Sequence, residues 1–154
     1  GFCPACALER AGVTLAIGTD GCASNNDLDM FGETRSAALL AKAVANDAAG
    51  FSAFEALHAA TLGGAKALGF EDRIGSIEAG KDADLVCVDL SALETQPLHH
   101  VVSQLIYATG RQQVSDVWIA GVQKLRQREL VDMDSAAIVA NARQWRQKIA
   151  QVRA

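Results

Sequence analysis

The sequence contains no apolar run long enough to cross a membrane and no excess of positive charge. A membrane-spanning helix needs about 20 consecutive apolar residues, and no stretch of the 154-residue chain approaches that length. The N-terminus has no basic segment leading into an apolar one, so we expect no signal peptide. A net charge of −4 argues against nucleic acid as a partner, because such binding depends largely on Lys and Arg. The composition, 50% hydrophobic and 21% charged, predicts a soluble globular protein.

The cysteines also exclude some classes of protein. They stand at positions 3, 6, 22 and 87, and this spacing fits neither a disulfide framework nor a zinc ribbon. We therefore expect the reducing environment of the cytoplasm. Cys3 and Cys6 have the CxxC spacing of a thioredoxin-like redox site, but such a site requires a preceding strand. Only two residues precede Cys3, so the sequence favours two small side chains packed at a helix start.

Common catalytic motifs are missing from the sequence. It contains no GxSxG, P-loop, GxGxxG, HxH or HExxH pattern. Of the three histidines, His58 falls inside a predicted helix, and His99 and His100 follow Pro97 in a predicted surface segment. A catalytic zinc needs three or four protein ligands, so we expect this chain alone to lack a complete metal site.

The first region of the chain follows an α/β pattern. A short helix is predicted over residues 4–11, followed by an apolar, largely β-branched run at 13–17. A run of this kind is typical of a strand buried on both faces of a parallel sheet. It ends in Gly18-Thr19-Asp20-Gly21, and the carboxyl ends of such strands are where sites are built. Asp20 is thus a candidate to bind a divalent metal or accept a proton from water, although a lone Asp is often only a turn residue or cap.

Two longer helices are predicted after this strand. Asp29 can cap the first, and Ser52 with Glu55 forms a capping box that opens the second. Two adjacent glycines stand at 63–64, within the second helix. They predict a helix break or a close backbone contact there. Gly69 is the expected C-cap. The predicted apolar face of this helix comprises Phe54, Leu57, Thr61, Ala65 and Leu68.

Turn residues at short intervals after Arg73 indicate a domain boundary near residue 72. Strands are predicted within residues 83–89, 101–107, 114–120 and 122–125, the last two forming a hairpin around Ala120 and Gly121. Asp134 or Ser135 then caps a C-terminal amphipathic helix. Its apolar stripe must dock on another surface, and it consists of Ile138, Ala142, Trp145, Ile149 and Val152.

Several motifs resemble a known family. The Gly-Thr-Asp-Gly motif at 18–21 and the following Ser24-Asn25-Asn26-Asp27-Leu28 resemble the last barrel strand and loop of the amidohydrolase superfamily. The nearest likeness is to the 5-methylthioadenosine/S-adenosylhomocysteine deaminases. Residues 56–69 and 74–86 agree as well, and the latter contain the Gly-Ser-Ile-Glu-x-Gly-Lys-x-Ala-Asp-Leu pattern of the superfamily.

The resemblance implies a (β/α)8 barrel beside a small β-sandwich. Residues 1–72 would then form the last strand and helices of the barrel, 73–131 the C-terminal part of the sandwich, and 132–154 a C-terminal amphipathic helix. In such enzymes the Asp that matches Asp20 helps to hold a catalytic divalent metal, here expected to be zinc. The implied reaction is attack of metal-activated water on the amine-bearing carbon of a purine nucleoside-type substrate, with Asp20 taking up a proton and ammonia leaving. Ser24 and Asn25 are expected to border this substrate.

The chain also departs from the family pattern. A full barrel needs about 250 residues and eight strands, whereas one barrel strand is recognisable here. The metal-binding histidines and the Glu that serves the ring nitrogen are not found, so we expect the isolated chain to be inactive. Two alternatives stay open: another amidohydrolase branch, such as guanine deaminases or triazine chlorohydrolases, or a non-catalytic module that forms homo-oligomers to cover its apolar faces.

Overall fold

The computed structural model describes residues 1–152 and shows an α/β chain with a small antiparallel sheet. The predicted helix at 132–154 therefore includes two residues, 153–154, that lie outside the described part. No helix within residues 1–152 combines the length and apolar character that crossing a bilayer demands. The elements are α1 Ala5–Arg10, α2 Met30–Ala45, α3 Ala53–Ala60, α4 Leu62–Ala67, β1 Leu85–Val88, α5 Val101–Tyr107, β2 Val114–Ile119, β3 Val122–Arg126, β4 Glu129–Leu130 and α6 Ser135–Val152.

The helix starts that the sequence predicts are confirmed. The Asp29 side chain accepts a hydrogen bond from the Phe31 backbone N–H at the start of α2. At the start of α3, Ser52 and Glu55 form the reciprocal capping box. These side chains bond N–H groups that have no partner inside the helix, and they fix where each helix begins.

The two glycines at 63–64 mark both a helix break and a close backbone approach. Helix α3 ends at Ala60 and α4 begins at Leu62, because Thr61 leaves the helical conformation with φ −125° and ψ −97°. A Cβ atom on Gly63 would lie 2.6 Å from the Leu15 carbonyl oxygen, which is too close for any side chain. Gly63 thus lets α4 lie against the segment that contains Leu15.

Helix α3 lies at the centre of the core and packs against α2, α4 and α5. The side chains that face inward are mostly small, so the helices approach one another closely. The buried cluster consists of Cys6, Ala38, Ala41, Phe51, Ala53, Ala56, Ala59 and Ile106.

The apolar face predicted for α3 and α4 was wrong in part. Ala65 is buried and Leu57 packs against the core, but Phe54 and Leu68 are 68% and 70% exposed, whereas most alanines of α3 are buried. The reason is that α2 and α5 contact the alanine face of α3. Large side chains there would hold these helices apart.

The four strands form one antiparallel sheet in the order β1-β2-β3-β4. Strands β2 and β3 are joined by Ala120 and Gly121, whose φ angles are 48° and 77°. Two successive left-handed residues are the geometry that tight hairpins favour, so the predicted hairpin is confirmed. Gln127 and Arg128, with φ angles of 46° and 68°, make the same kind of turn between β3 and β4.

Residues 101–107 form helix α5, so the strand predicted there was wrong. His100 caps this helix by accepting a hydrogen bond from the Ser103 backbone N–H at 3.1 Å. Val102 and Ile106 stand one helical turn apart, and Ile106 is 2% exposed in the core. The β-branched residues suggested a strand, but burial of this i, i+4 pair against α3 stabilises a helix instead.

Helix α6 forms as predicted, with Asp134 accepting a hydrogen bond from the Ala137 N–H at 2.9 Å. Its residues are exposed along the whole helix, including Trp145 at 56%. The surface on which its apolar stripe was expected to dock is therefore not found among residues 1–152.

Candidate functional site

The segment before Asp20 has no regular secondary structure and pairs with none of the described strands. Residues 13–17 belong to no strand, so the paired barrel strand predicted there is not formed within the described chain. Leu15 and Ile17 pack against the helical core, and the Ile17 N–H donates to the Ala59 carbonyl at 3.2 Å. A parallel strand requires neighbours on which its backbone can pair, and these neighbours are missing from the sheet of this chain.

Asp20 stands at the end of this segment, with its side chain exposed to solvent. Its φ of 61° is left-handed, an uncommon conformation for a residue other than glycine. One carboxylate oxygen, Oδ1, accepts a hydrogen bond from the Gly21 N–H at 2.7 Å, and the Thr19 hydroxyl donates to the Asp20 carbonyl at 3.0 Å. These bonds fix the carboxylate close to its own backbone, while Oδ2 accepts no hydrogen bond from residues 1–152.

Ser24 and Asn25 lie in the loop that follows Asp20. Their backbone N–H groups both donate to the Gly21 carbonyl at 2.9 Å, which closes a tight turn directly after Asp20. Ser24 is exposed, whereas Asn25 is partly buried, and both polar atoms of its side chain form hydrogen bonds. Its Oδ1 accepts from the Asp27 N–H at 3.0 Å, and its Nδ2 donates to Glu33 Oε1 at 2.7 Å. The geometry therefore gives Asn25 a structural role within the loop, while the Ser24 hydroxyl forms no hydrogen bond within residues 1–152.

Two loop-holding residues had not been singled out from the sequence. Glu33 binds Asn25 from the first turn of α2, and Arg111 binds Asp27 from a short 3-10 turn at Arg111–Gln113. Glu33 is eight positions from Asn25 on a helix with a recognisable cap, so a sequence pattern could have suggested it. Arg111 is 84 positions from Asp27, and no local signal connects the two.

The described residues do not fit a catalytic metal on their own. Within residues 1–152 no group of three His, Cys, Asp or Glu side chains is close enough to hold an ion. His58, His99 and His100 are exposed, and His100 is engaged as a helix cap. Asp20 offers one carboxylate, whereas a catalytic zinc uses three protein ligands.

Two open clefts flank the segment 13–17, and neither contains Asp20. One, of about 230 Å³, has a charged rim with Glu9, Glu55, His58 and Lys66. Partial burial raises the pKa of Glu9, the nearby Glu55 carboxylate raises it further, and Arg10 and His58 act in the opposite direction. The other cleft, of about 310 Å³, is mostly apolar and is lined in part by Leu15, Ile17, Leu40 and Phe51. Both clefts are lined in part by residues of the segment 13–17.

Comparison with known proteins places this arrangement in a family. The sequence pattern described as "Amidohydrolase family" matches residues 4–124. A 5-methylthioadenosine/S-adenosylhomocysteine deaminase from Teredinibacter turnerae is 50% identical over 149 residues, which are 97% of this chain and 34% of that protein. A crystal structure of an adenosine deaminase from Xanthomonas campestris with bound zinc is 78% identical, with a TM-score of 0.95 over 98% of this chain and 34% of that one.

A more distant likeness is to atrazine chlorohydrolase from Arthrobacter aurescens, crystallised with zinc. It is 32% identical, with a TM-score of 0.84 over 92% of this chain and 31% of that one. The chain thus spans about a third of the length of the relatives that it matches. Because the family pattern covers most of the sequence, the chain belongs to the amidohydrolase family.

Proposed function

We propose that this chain is the C-terminal third of a metal-dependent hydrolase that deaminates adenine nucleosides of the 5-methylthioadenosine/S-adenosylhomocysteine type. Residues 1–72 would complete a (β/α)8 barrel, residues 73–131 would complete a small β-sandwich, and residues 132–154 would form the C-terminal helix. The observation that carries this proposal is the high identity to deaminases along nearly the whole chain. The unpaired segment 13–17 supports it, because a barrel strand cut from its neighbours would have this form.

In this proposal, the reaction replaces the amino group of the purine ring with oxygen from water. A C–O bond forms at the amine-bearing carbon, the C–N bond breaks, and the amino group leaves as ammonia. Asp20 takes one proton of the attacking water and passes it to the departing amino group, a role that its exposed carboxylate can serve. Ser24 and Asn25 would lie beside the substrate. Ser24 would contact it through the hydroxyl group, and Asn25 would shape the loop.

The cofactor would be shared between this chain and the rest of the protein. Zinc is bound in the Xanthomonas and Arthrobacter structures, and carboxylate oxygen is among its ordinary ligands. Asp20 would supply one ligand, and the others would come from segments outside these 154 residues. A cytoplasmic location and a homo-oligomeric state remain predictions from the sequence.

A triazine-hydrolysing activity is the second candidate, favoured by the likeness to atrazine chlorohydrolase. That likeness is at 32% identity, against 50% and 78% for the two deaminases. Deamination is therefore the function that we propose first.

A chimera tests the proposal directly. This chain replaces the matching third of the Xanthomonas campestris adenosine deaminase, and the product is assayed with zinc on 5-methylthioadenosine, adenosine and atrazine. We expect ammonia release from the nucleosides, no turnover of atrazine, and no activity from the isolated chain. Asp20→Asn in the chimera should lower kcat/KM at least about 100-fold, because a positioned acid–base group contributes that much or more.

The matched control is Asp72→Asn, which changes an exposed carboxylate outside the loop in the same way. It should leave kcat/KM unchanged. Activity that survives Asp20→Asn would contradict the role of Asp20, and chloride release from atrazine without deamination would favour the second candidate.

A further inference from the structure

The loop at residues 20–28 is held by an arginine from the distant part of the chain. Arg111 Nη2 lies 2.5 Å from Asp27 Oδ1, and Arg111 Nη1 donates a hydrogen bond to the Asp27 carbonyl at 2.8 Å. One guanidinium therefore binds both the side chain and the backbone of Asp27. Such a two-point contact restrains backbone position, which a single-point surface ion pair does not.

The contact continues from Asp27 toward Asp20. The Asp27 N–H donates to Asn25 Oδ1 at 3.0 Å, and the Asn25 N–H donates to the Gly21 carbonyl at 2.9 Å. Gly21 in turn donates its N–H to the Asp20 carboxylate. An unbroken series of hydrogen bonds thus connects Arg111 with the residue next to Asp20.

The turn that carries Arg111 is itself anchored to the sheet. Arg128, in the left-handed turn between β3 and β4, donates through Nη1 to the backbone carbonyls of Arg111, Gln112 and Val114. The Gly110 N–H also donates to Gln113 Oε1 at 2.8 Å, which closes the same turn. The backbone around Arg111 is therefore held in place by Arg128. The contact of Arg111 with Asp27 then connects the loop to the sheet.

We propose that Arg111 is a positioning residue that orders the loop 20–28, including the Asn25 that shapes it, and so places Ser24 for substrate binding. This inference rests on the proposed function for its catalytic consequence, but the ordering itself is a property of the chain. Through Arg128 and Arg111, the sheet is connected to the loop that follows Asp20 and contributes to the shape of that loop.

Hydrogen–deuterium exchange on the full 154-residue chain tests the ordering. Arg111→Gln should speed exchange of the Ser24, Asn25 and Asp27 amides about fivefold, the factor expected for loss of an ion pair of ordinary strength. Amides of α2 should be unaffected, which shows that the variant is folded. The matched control is Arg10→Gln, which removes the exposed single-contact pair with Asp47 and should leave the loop unchanged.

Kinetics in the chimera test the catalytic consequence. Arg111→Gln should raise KM for 5-methylthioadenosine about fivefold with kcat within about twofold, because the loop borders the substrate rather than carrying out the chemistry. Arg111→Lys keeps the charge but cannot make both contacts, so it should restore part of the loss. Loop exchange that is unchanged by Arg111→Gln, or changed equally by Arg10→Gln, would overturn the proposal. An unsubstituted chimera without deaminase activity would refute the proposed function, while the exchange result would still decide the role of Arg111.

Discussion

Two segments predicted as strands form different structures in this chain. In the hairpin of β2 and β3, Val117 pairs with Leu125, Trp118 with Gln123 and Ile119 with Val122, and the register shifts once between Val117 and Trp118. The segment 13–17 pairs with none of the described strands, and the Leu15 carbonyl oxygen instead lies against Gly63. The difference lies in how far along the sequence the pairing strand is. The strand that pairs with β2 follows it after a two-residue turn. In the proposed function, the strands that would pair with the segment 13–17 lie in the two thirds of the relatives that this chain does not span.

In the proposed function, the same difference accounts for the incomplete candidate site. Asp20 lies at the end of the unpaired segment, and we expect the elements that pair with residues 13–17 in the whole protein to surround its carboxylate as well. The hairpin, in contrast, carries no candidate site residue and is complete by itself. Substitutions whose effects differ between the isolated chain and the chimera distinguish a segment that lacks its pairing strands from one that is complete by itself.

Ala16→Lys should give the largest contrast. Ala16 is exposed, so in the isolated chain the free energy of unfolding should change by no more than about 0.5 kcal/mol. In the chimera, a strand buried on both faces would force the ammonium group into the interior, at a cost of several kcal/mol. Thermal melts of the chain and the soluble yield of the chimera measure the two effects. Ala79→Lys, at an exposed turn between Glu78 and Gly80, should be harmless in both.

Gly63→Ala and Gly64→Ala should have opposite signs. The added methyl group at Gly63 would meet the Leu15 carbonyl at 2.6 Å, so one backbone segment must move, and we expect a loss of about 1–3 kcal/mol. At Gly64 the nearest atom is the Ala59 carbonyl oxygen at 3.6 Å, an ordinary contact. There the higher helix propensity of Ala should add up to about 1 kcal/mol. Urea unfolding of both variants checks this, and equal effects would show that Gly63 does not fix the segment 13–17.

Glu9→Gln should give the smallest effect, and one that depends on pH. Because the folded-state pKa of Glu9 is raised above its usual 4.5, ionising it costs stability, and this cost is complete above the raised pKa. The variant should therefore be more stable at pH 7, by less than about 0.5 kcal/mol, and the advantage should disappear as the pH falls below 4.5. Unfolding curves across this pH range measure it. Glu129→Gln on the exposed strand β4 is the control, and an advantage that grows at acid pH would refute the prediction.

The sequence predicted the features that depend on near neighbours. The cap at Asp29, the capping box at Ser52, the break near Gly63 and the turn at Ala120 each involve groups a few residues apart. Interactions of this kind are encoded in short patterns, and all four were confirmed. The family was recognisable for a similar reason, because its motifs are contiguous.

The errors concern contacts between distant elements. Residues 101–107 have the β-branched composition of a strand, yet Ile106 reaches the alanine face of α3 only if the segment is helical. Phe54 was expected inside and is exposed, because α2 and α5 occupy the opposite face of α3. Neither outcome can be read from a local pattern, since each depends on which helices meet.

The sequence by itself determined the starts of α2, α3 and α6, the hairpin, the family and the choice of Asp20 as candidate site residue. Only the tertiary structure decided that α5 joins the core, that Leu15 lies against Gly63 and that Arg111 holds Asp27 across 84 positions. The physical reason is that caps and turns are stabilised by hydrogen bonds between residues close in the chain. Packing and long-range ion pairs, in contrast, depend on surfaces that exist only after folding.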